Sequence, residues 1–138
     1  MRAFKLRVLT PTGEAFSGEV QGVFLRATDG EVGILAGHTD YLAGVVECTV
    51  KLIDTEEKEQ YAYCGGGFFS MVSGEATLLA DEFLFAKDLD EESLLAEIEE
   101  IRVQQSEAVD AMKAIFLTST LGRLQAKQKT LAVYKENQ

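Results

Sequence analysis

A single change of hydrophobic period, at Asp88, constrains this chain more than any other feature. Before it, apolar residues alternate with polar ones or form short runs cut by glycine, as in Phe4-Lys5-Leu6-Arg7-Val8 and Phe68-Phe69-Ser70-Met71-Val72. A spacing of two is what a half-buried strand requires. After it, Leu94, Leu95, Ile98 and Ile101 recur at three and four, which lines one side of a helix. Eight to ten short strands with turns between them, and no helical period before residue 88, imply an antiparallel sandwich. The expected fold is α+β, with a β-sandwich of about ten strands over residues 1–86 and a two-helix hairpin over residues 87–138.

Within the first part, Thr10-Pro11-Thr12-Gly13 reads as a turn, because proline presets φ and glycine tolerates a left-handed backbone. Ser17-Gly18 lies inside a strand pattern and predicts a bulge or a close backbone approach, with Val23-Phe24-Leu25 as a further strand. Leu42 to Val46 and Cys48 to Ile53 read as strands, with Asp54 to Lys58 as a polar hairpin loop. Gly65-Gly66-Gly67 leads into another strand and not a helix, so it marks a crossing point between sheets and not a phosphate cradle. In the second part Asp88 or Asp90 can cap a helix whose first turn carries Glu91 and Glu92. The stripe continues through Met112, Ile115, Phe116, Leu124 and Leu131. The turn between the helices falls either in Gln104 to Asp110 or in Thr118 to Gly122, and the period does not choose.

The stretch from Thr28 to Val45 holds four glycines, the only histidine, His38, and the carboxylates Asp29 and Glu31. It reads as a shaped loop in which Gly30, Gly33 and Gly37 can take positive φ, displaying Glu31 and His38.

Charge is divided unevenly. The chain carries net −10, yet residues 111–138 hold five basic side chains, Lys113, Arg123, Lys127, Lys129 and Lys135, against Glu136 alone. A basic tail on an acidic body disfavours nucleic acid, whose phosphates the body repels, and points to an acidic protein surface as what the tail meets. No run approaches the ~20 apolar residues of a membrane span, and the first residues alternate instead of forming a leader core. A cytoplasmic protein is expected. Cys48 and Cys64 fit no metal-ligand spacing, and with one histidine no zinc set can be assembled; they read as reduced structural thiols.

Four segments in register carry a resemblance. They are Thr10-Pro-Thr-Gly-Glu-Ala-Phe-Ser-Gly-Glu-Val20, Gly30-Glu-Val-Gly-Ile-Leu-Ala-Gly-His38, Gly65-Gly-Gly-Phe68 and Leu79-Ala-Asp81, followed by Asp88-Leu-Asp-Glu91. Their order and spacing, from residue 4 to about 92, resemble the epsilon subunit of bacterial and chloroplast F-type ATP synthase. The resemblance implies a protein with no catalytic residues, no cofactor and no metal. It implies a rotor subunit in the central stalk that joins the gamma subunit to the ring of c subunits and couples proton or sodium transport to ATP synthesis. Its C-terminal helices would restrain ATP hydrolysis by reaching the alpha and beta catalytic subunits. Such a subunit is peripheral, at the cytoplasmic face of the bacterial inner membrane. Glu31 and His38 match the family's loop facing the c ring, Arg123, Lys127 and Lys129 have the sign needed against acidic loops of the catalytic subunits, and the Gln104 to Asp110 turn is favoured.

The chain departs from the family in two places. Ala36-Gly37-His38-Thr39-Asp40-Tyr41-Leu42 stands where the family commonly has Pro-Gly-His-x-Pro-Leu, so a less rigid or differently shaped loop is expected. Members that bind ATP carry Asp-x-x-Arg-Ala at the start of the first helix. Asp90 is retained here, but Ser93 replaces the arginine amid nine acidic residues and one basic residue from Asp88 to Asp110, so ATP should be repelled. Two rival readings are a free-standing adaptor for an acidic partner and an enzyme using His38 or Cys64. The second lacks any base and orienter partner in the sequence.

Overall fold

The computed structural model describes residues 2–138. It contains nine strands: β1 (Phe4–Thr10), β2 (Gly13–Ala27), β3 (Gly30–Leu35), β4 (Tyr41–Val45), β5 (Cys48–Asp54), β6 (Glu59–Cys64), β7 (Gly67–Val72), β8 (Glu75–Ala80) and β9 (Phe83–Phe85). A 3-10 turn, Ala86–Asp88, then leads to α1 (Glu91–Glu107) and α2 (Ala111–Glu136). The expected ten strands resolve as nine because Ala15 to Leu25 is one strand and not two. β2 runs unbroken for 15 residues and serves both layers of the sandwich. Its first half pairs with β1, and its second half lies between β3 and β5.

One layer is β3-β2-β5-β6-β9 and the other is β2-β1-β8-β7-β4, joined again where Ala27 meets Val45. Every pairing is antiparallel except β1 with β8, which run parallel. Phe4, Leu6, Val8, Val23, Leu25, Val50, Leu52, Phe69, Met71 and Leu78 fill the space between the layers and are buried. At ~1.5–3 kcal/mol for each large apolar side chain, this interior is the main stabilising term of the fold.

Two glycine expectations change and a third holds. The bulge falls at Ala15, since Val8 pairs Phe16 while Leu9 pairs Glu14; Gly18 instead lies under the Phe16 ring. Gly33 takes no positive φ. It makes room, as does Gly22, for the ring of Phe24, because a Cβ at either position would come within 2.9 Å of that ring. The crossing at Gly65–Gly67 is sterically forced, since a Cβ on Gly67 would lie 1.8 Å from the Leu79 carbonyl oxygen, and its φ is +151°.

The inter-helix turn lies at Ala108–Asp110, and α2 passes through Thr118 to Gly122 without a break. Asp90 caps α1 by accepting from the Glu92 N–H, and Asp110 caps α2 by accepting from the Met112 N–H, so each helix start has a side-chain acceptor. Leu117, Leu124 and Leu131, seven residues apart, are the buried apolar side chains of α2, and Leu124 and Leu131 pack against Leu94 and Ile98 of α1. The spacing is that of a short coiled coil, whose core alone is small. α2 rests on β5, β6 and the 3-10 turn, covering the outside of the first layer. Among the described residues, no helix covers the outside of the second layer.

Candidate functional site

Three surfaces have a shape that a partner could read. The first is the bare outer face of the second layer. Alternation along β4, β7 and β8 sends Leu42, Phe68, Val72 and Leu79 outward; Leu42 is 75% exposed and Phe68 61%. Phe68 and Leu79 sit directly opposite each other across β7 and β8, so they form one apolar platform. Exposed apolar side chains gathered on one sheet face are the mark of a protein contact surface. The sequence reading missed this face, although both faces of Phe68-Phe69 are apolar, which a strand with one wet side does not need.

The second surface holds Glu31 and His38. The expected loop from Thr28 to Val45 is in fact largely ordered strand. β3 pairs with β2, and only Thr28-Asp29 turns between them, with Gly30 at φ +135°. Glu31 stands opposite Arg26 and is joined to it at 3.2 Å on the surface. His38 lies past the far end of β3, where Gly37 takes φ +84°. Its Nδ1 is 2.8 Å from the Thr39 carbonyl oxygen, and its ring meets Tyr41 edge-on at 5.6 Å. Four residue steps along the strand take Glu31 to Leu35, about 13 Å, so Glu31 and His38 occupy opposite ends of β3. The missing prolines are offset by Asp40, whose carboxylate accepts from the Ser73 N–H at 3.0 Å and ties this turn to the β7–β8 hairpin.

The third surface is the seam under α2. Arg123 reaches Asp81 at 3.0 Å and Glu82 at 3.7 Å, and Lys127 reaches Glu82 at 3.2 Å. Lys127 also lies over the Tyr63 ring, 5.5 Å from its centre. Tyr63 donates its hydroxyl to Glu47 at 2.6 Å, and burial pushes its phenol pKa well up, so it stays protonated. The Thr49 and Thr130 hydroxyls meet at 2.6 Å, and Lys135 pairs with Glu91. The acidic surface expected to meet the tail is thus, in part, this chain's own. Asp81 and Glu82 went unremarked in the sequence because they stand 42 and 45 residues from their partners, beyond any local pattern. Lys129 makes no ion pair among the described residues. It lines a cleft of about 1150 Å³ between α2 and the β2, β3 and β5 surface, together with Glu31, Arg26 and Lys51.

Away from this seam, α2 has an unpartnered half. Met112, Ile115 and Phe116 are two-thirds exposed or more, one apolar side near the hairpin tip. At the start of α1, Ser93 donates to Asp90 at 2.7 Å, so both residues are engaged in capping the helix. Cys48 and Cys64 are free thiols placed directly opposite each other on β5 and β6. A hairpin centred on Glu56, which the sequence reading identified, already puts these two positions in register. No helix among the described residues is long and apolar enough to cross a membrane.

Residues 3–86 match the family described as "ATP synthase, Delta/Epsilon chain, beta-sandwich domain". The "ATP synthase epsilon chain" of Bordetella avium is 32% identical over 127 residues, covering 92% of this chain and 90% of the relative. The protein of the same description from Bordetella parapertussis is 31% identical over 92% of this chain and 91% of the relative. Among solved structures, a chain of the Euglena gracilis mitochondrial ATP synthase superposes with a TM-score of 0.76 at 21% identity, covering 94% of this chain and 81% of that one. A chain of the Tetrahymena thermophila mitochondrial ATP synthase does so with a TM-score of 0.56 at 10% identity, covering 92% and 95%. At these identities the two structures bear on the fold alone.

Proposed function

The chain belongs to the ATP synthase delta/epsilon-chain family, and on that premise we propose that it is the central-stalk rotor subunit of an F-type ATP synthase, linking gamma to the c ring and restraining ATP hydrolysis through α1 and α2. As an epsilon chain it is a non-catalytic subunit of that enzyme. In this reading it couples proton or sodium transport to ATP synthesis while peripheral to the cytoplasmic face of the bacterial inner membrane. The apolar platform of Leu42, Phe68 and Leu79 is the surface we assign to gamma, because a permanent neighbour is what such a face needs. Glu31 and His38, at the two ends of β3, are assigned to the c ring, and Arg123, Lys127 and Lys129 to the catalytic subunits.

The observation that carries the regulatory part is how α2 is held. Its contacts with the sandwich are mainly polar and partly wet, whereas Met112, Ile115 and Phe116 have nothing to cover them. An arm held by ion pairs worth about 0.2–1 kcal/mol each can be exchanged onto another acidic surface. The test is a complex rebuilt with the chain lacking residues 111–138. It should retain the truncated subunit and hydrolyse ATP faster. Equal hydrolysis by the two complexes would refute the restraint.

A further inference from the structure

The two cysteines are placed for a reaction that the rotor function does not use. Cys48 and Cys64 are register partners on β5 and β6, so their side chains project from the same side of the hairpin. Directly opposed residues of an antiparallel pair have Cα atoms ~4.5–5.5 Å apart, inside the ~4.4–6.8 Å window that a disulfide spans. Their burial is unequal: Cys64 is fully buried in the sandwich interior, while Cys48, whose side chain faces the same interior, is only half-buried at its border. One thiol can therefore meet a reagent and the other waits behind it. The Cys64 thiol beside it pulls the Cys48 pKa down to about 7, while Cys64 itself is pushed up. An attacking thiol works best with a pKa near the ambient pH.

The neighbours of the pair are the anchors of α2. Gly65, next to Cys64, donates its N–H to the Glu82 carbonyl at 2.9 Å, and the Asp81 N–H donates to the Gly66 carbonyl at 3.0 Å. Asp81 and Glu82 hold Arg123 and Lys127. Glu47, next to Cys48, accepts from the Tyr63 on which Lys127 rests. Opposed Cβ atoms lie ~4.5–5.5 Å apart and a disulfide draws them to ~3.8 Å, so closing the bond shifts both anchor segments by about 1 Å.

We propose that Cys48 and Cys64 form a reversible cross-strand redox site, reduced at rest, that small disulfides of the glutathione class close, and whose closure loosens α2 from the sandwich. The Cys48 thiolate attacks one sulfur of the small disulfide, whose S–S bond breaks and releases one small thiolate. Cys64 then gives its proton to solvent and attacks the Cys48 sulfur, breaking the mixed disulfide and releasing the second small thiol. The protein loses two electrons and two protons, and the small disulfide becomes two thiols. A reducing dithiol reverses both steps.

The experiment is native incubation of the full chain with oxidised glutathione, read by intact mass and by mapping of unreduced peptides. The expected product is two hydrogens lighter, with one Cys48–Cys64 bridge, and dithiothreitol restores the parent mass. In Cys64→Ser, or in Cys64→Ala should the serine variant misfold, Cys48 should stop at the mixed disulfide. A wild-type chain that remains unmodified, keeps one glutathione adduct, or closes only after denaturation would overturn the site. Tryptic cleavage after Arg123 and Lys127 should run several-fold faster in the oxidised chain, and equal cleavage in both forms would overturn the link to α2.

Discussion

Replacing Asp81 with Asn and Glu82 with Gln together should free α2 without unfolding the sandwich. The two amides keep the shape of the carboxylates and remove the three ion pairs to Arg123 and Lys127, at 3.0, 3.7 and 3.2 Å. The pairs made by Arg123 lie half in water, so each falls within the ~0.2–1 kcal/mol of exposed pairs. Lys127 is better covered, with its side chain 16% exposed and its ammonium over Tyr63, so its pair sits at the top of that range. The loss totals about 1.4–3 kcal/mol, and at 1.4 kcal/mol per factor of ten the released fraction should rise roughly 10- to 140-fold. The freed hairpin keeps only the small core around Leu94, Ile98, Leu124 and Leu131. It unwinds readily, so amide hydrogen exchange across residues 121–131 follows the release. Exchange in the double variant within about twofold of the parent would refute the reasoning and leave helix packing as what holds α2. In the parent, added salt should move exchange the same way, because charges this exposed are screened over ~10 Å at 0.1 M.

Three further outcomes are expected. Glu31→Lys breaks the pair with Arg26 and reverses the charge at the proposed c-ring contact, so a folded variant should lose binding to membranes that contain the ring; undiminished binding removes Glu31 from that role. Calorimetry with ATP should give no saturable binding tighter than about 0.1 mM, roughly −5.5 kcal/mol, since Asp90 and Ser93 are engaged with each other and Ser93 stands where the arginine of ATP-binding members would be. Burial, aided by the hydrogen bond to Glu59, pushes the Tyr61 phenol up to about 12. An unfolded tyrosine titrates near 10, so this contribution is complete below about pH 10 and is lost as pH rises toward 12. Denaturant midpoints should fall across that window and fall less in Tyr61→Phe. Equal slopes would refute the assignment.

What could be read from the residues follows physical range. The change from strand to helix at Asp88 was legible because period two and period 3.6 are properties of the backbone itself, and the cap at Asp90, one of the two candidates, is equally local. The stretch around Gly30 and Gly33 misled because glycine reads as loop. Here the Phe24 ring occupies the space over Gly22 and Gly33, so side-chain packing from β2 steadies a strand that propensity disfavours. The continuity of β2 was hidden for a related reason, since a strand that serves two layers turns its apolar side partway along. Glu31 and His38 were legible as exposed and polar, but their separation by the length of β3 was not. The Asp81–Glu82 anchor was out of reach, whereas the pairing of Cys48 with Cys64 was within reach of the Asp54 to Lys58 hairpin but was not drawn from it.

The division of charge along the chain has its sense in this seam. Cations on α2 that had no partner in the folded chain would always favour release. Cations fully buried against carboxylates would resist it, since breaking a buried pair costs about 3–5 kcal/mol. Half-wet pairs at 3.0–3.7 Å lie between these limits, and their summed hold is one that a second acidic surface can match. A partner shifts such an equilibrium only by what it offers to the released state and not to the docked one. Met112, Ile115 and Phe116 are the residues through which that difference can arise, because they are bare while α2 is docked. Burying each against a partner is worth about 1.5–3 kcal/mol, so the three together exceed the hold of the ion pairs. In the proposed function the charges therefore decide which surface α2 can rest on, and the apolar tip decides which of the two it prefers once the catalytic subunits are within reach.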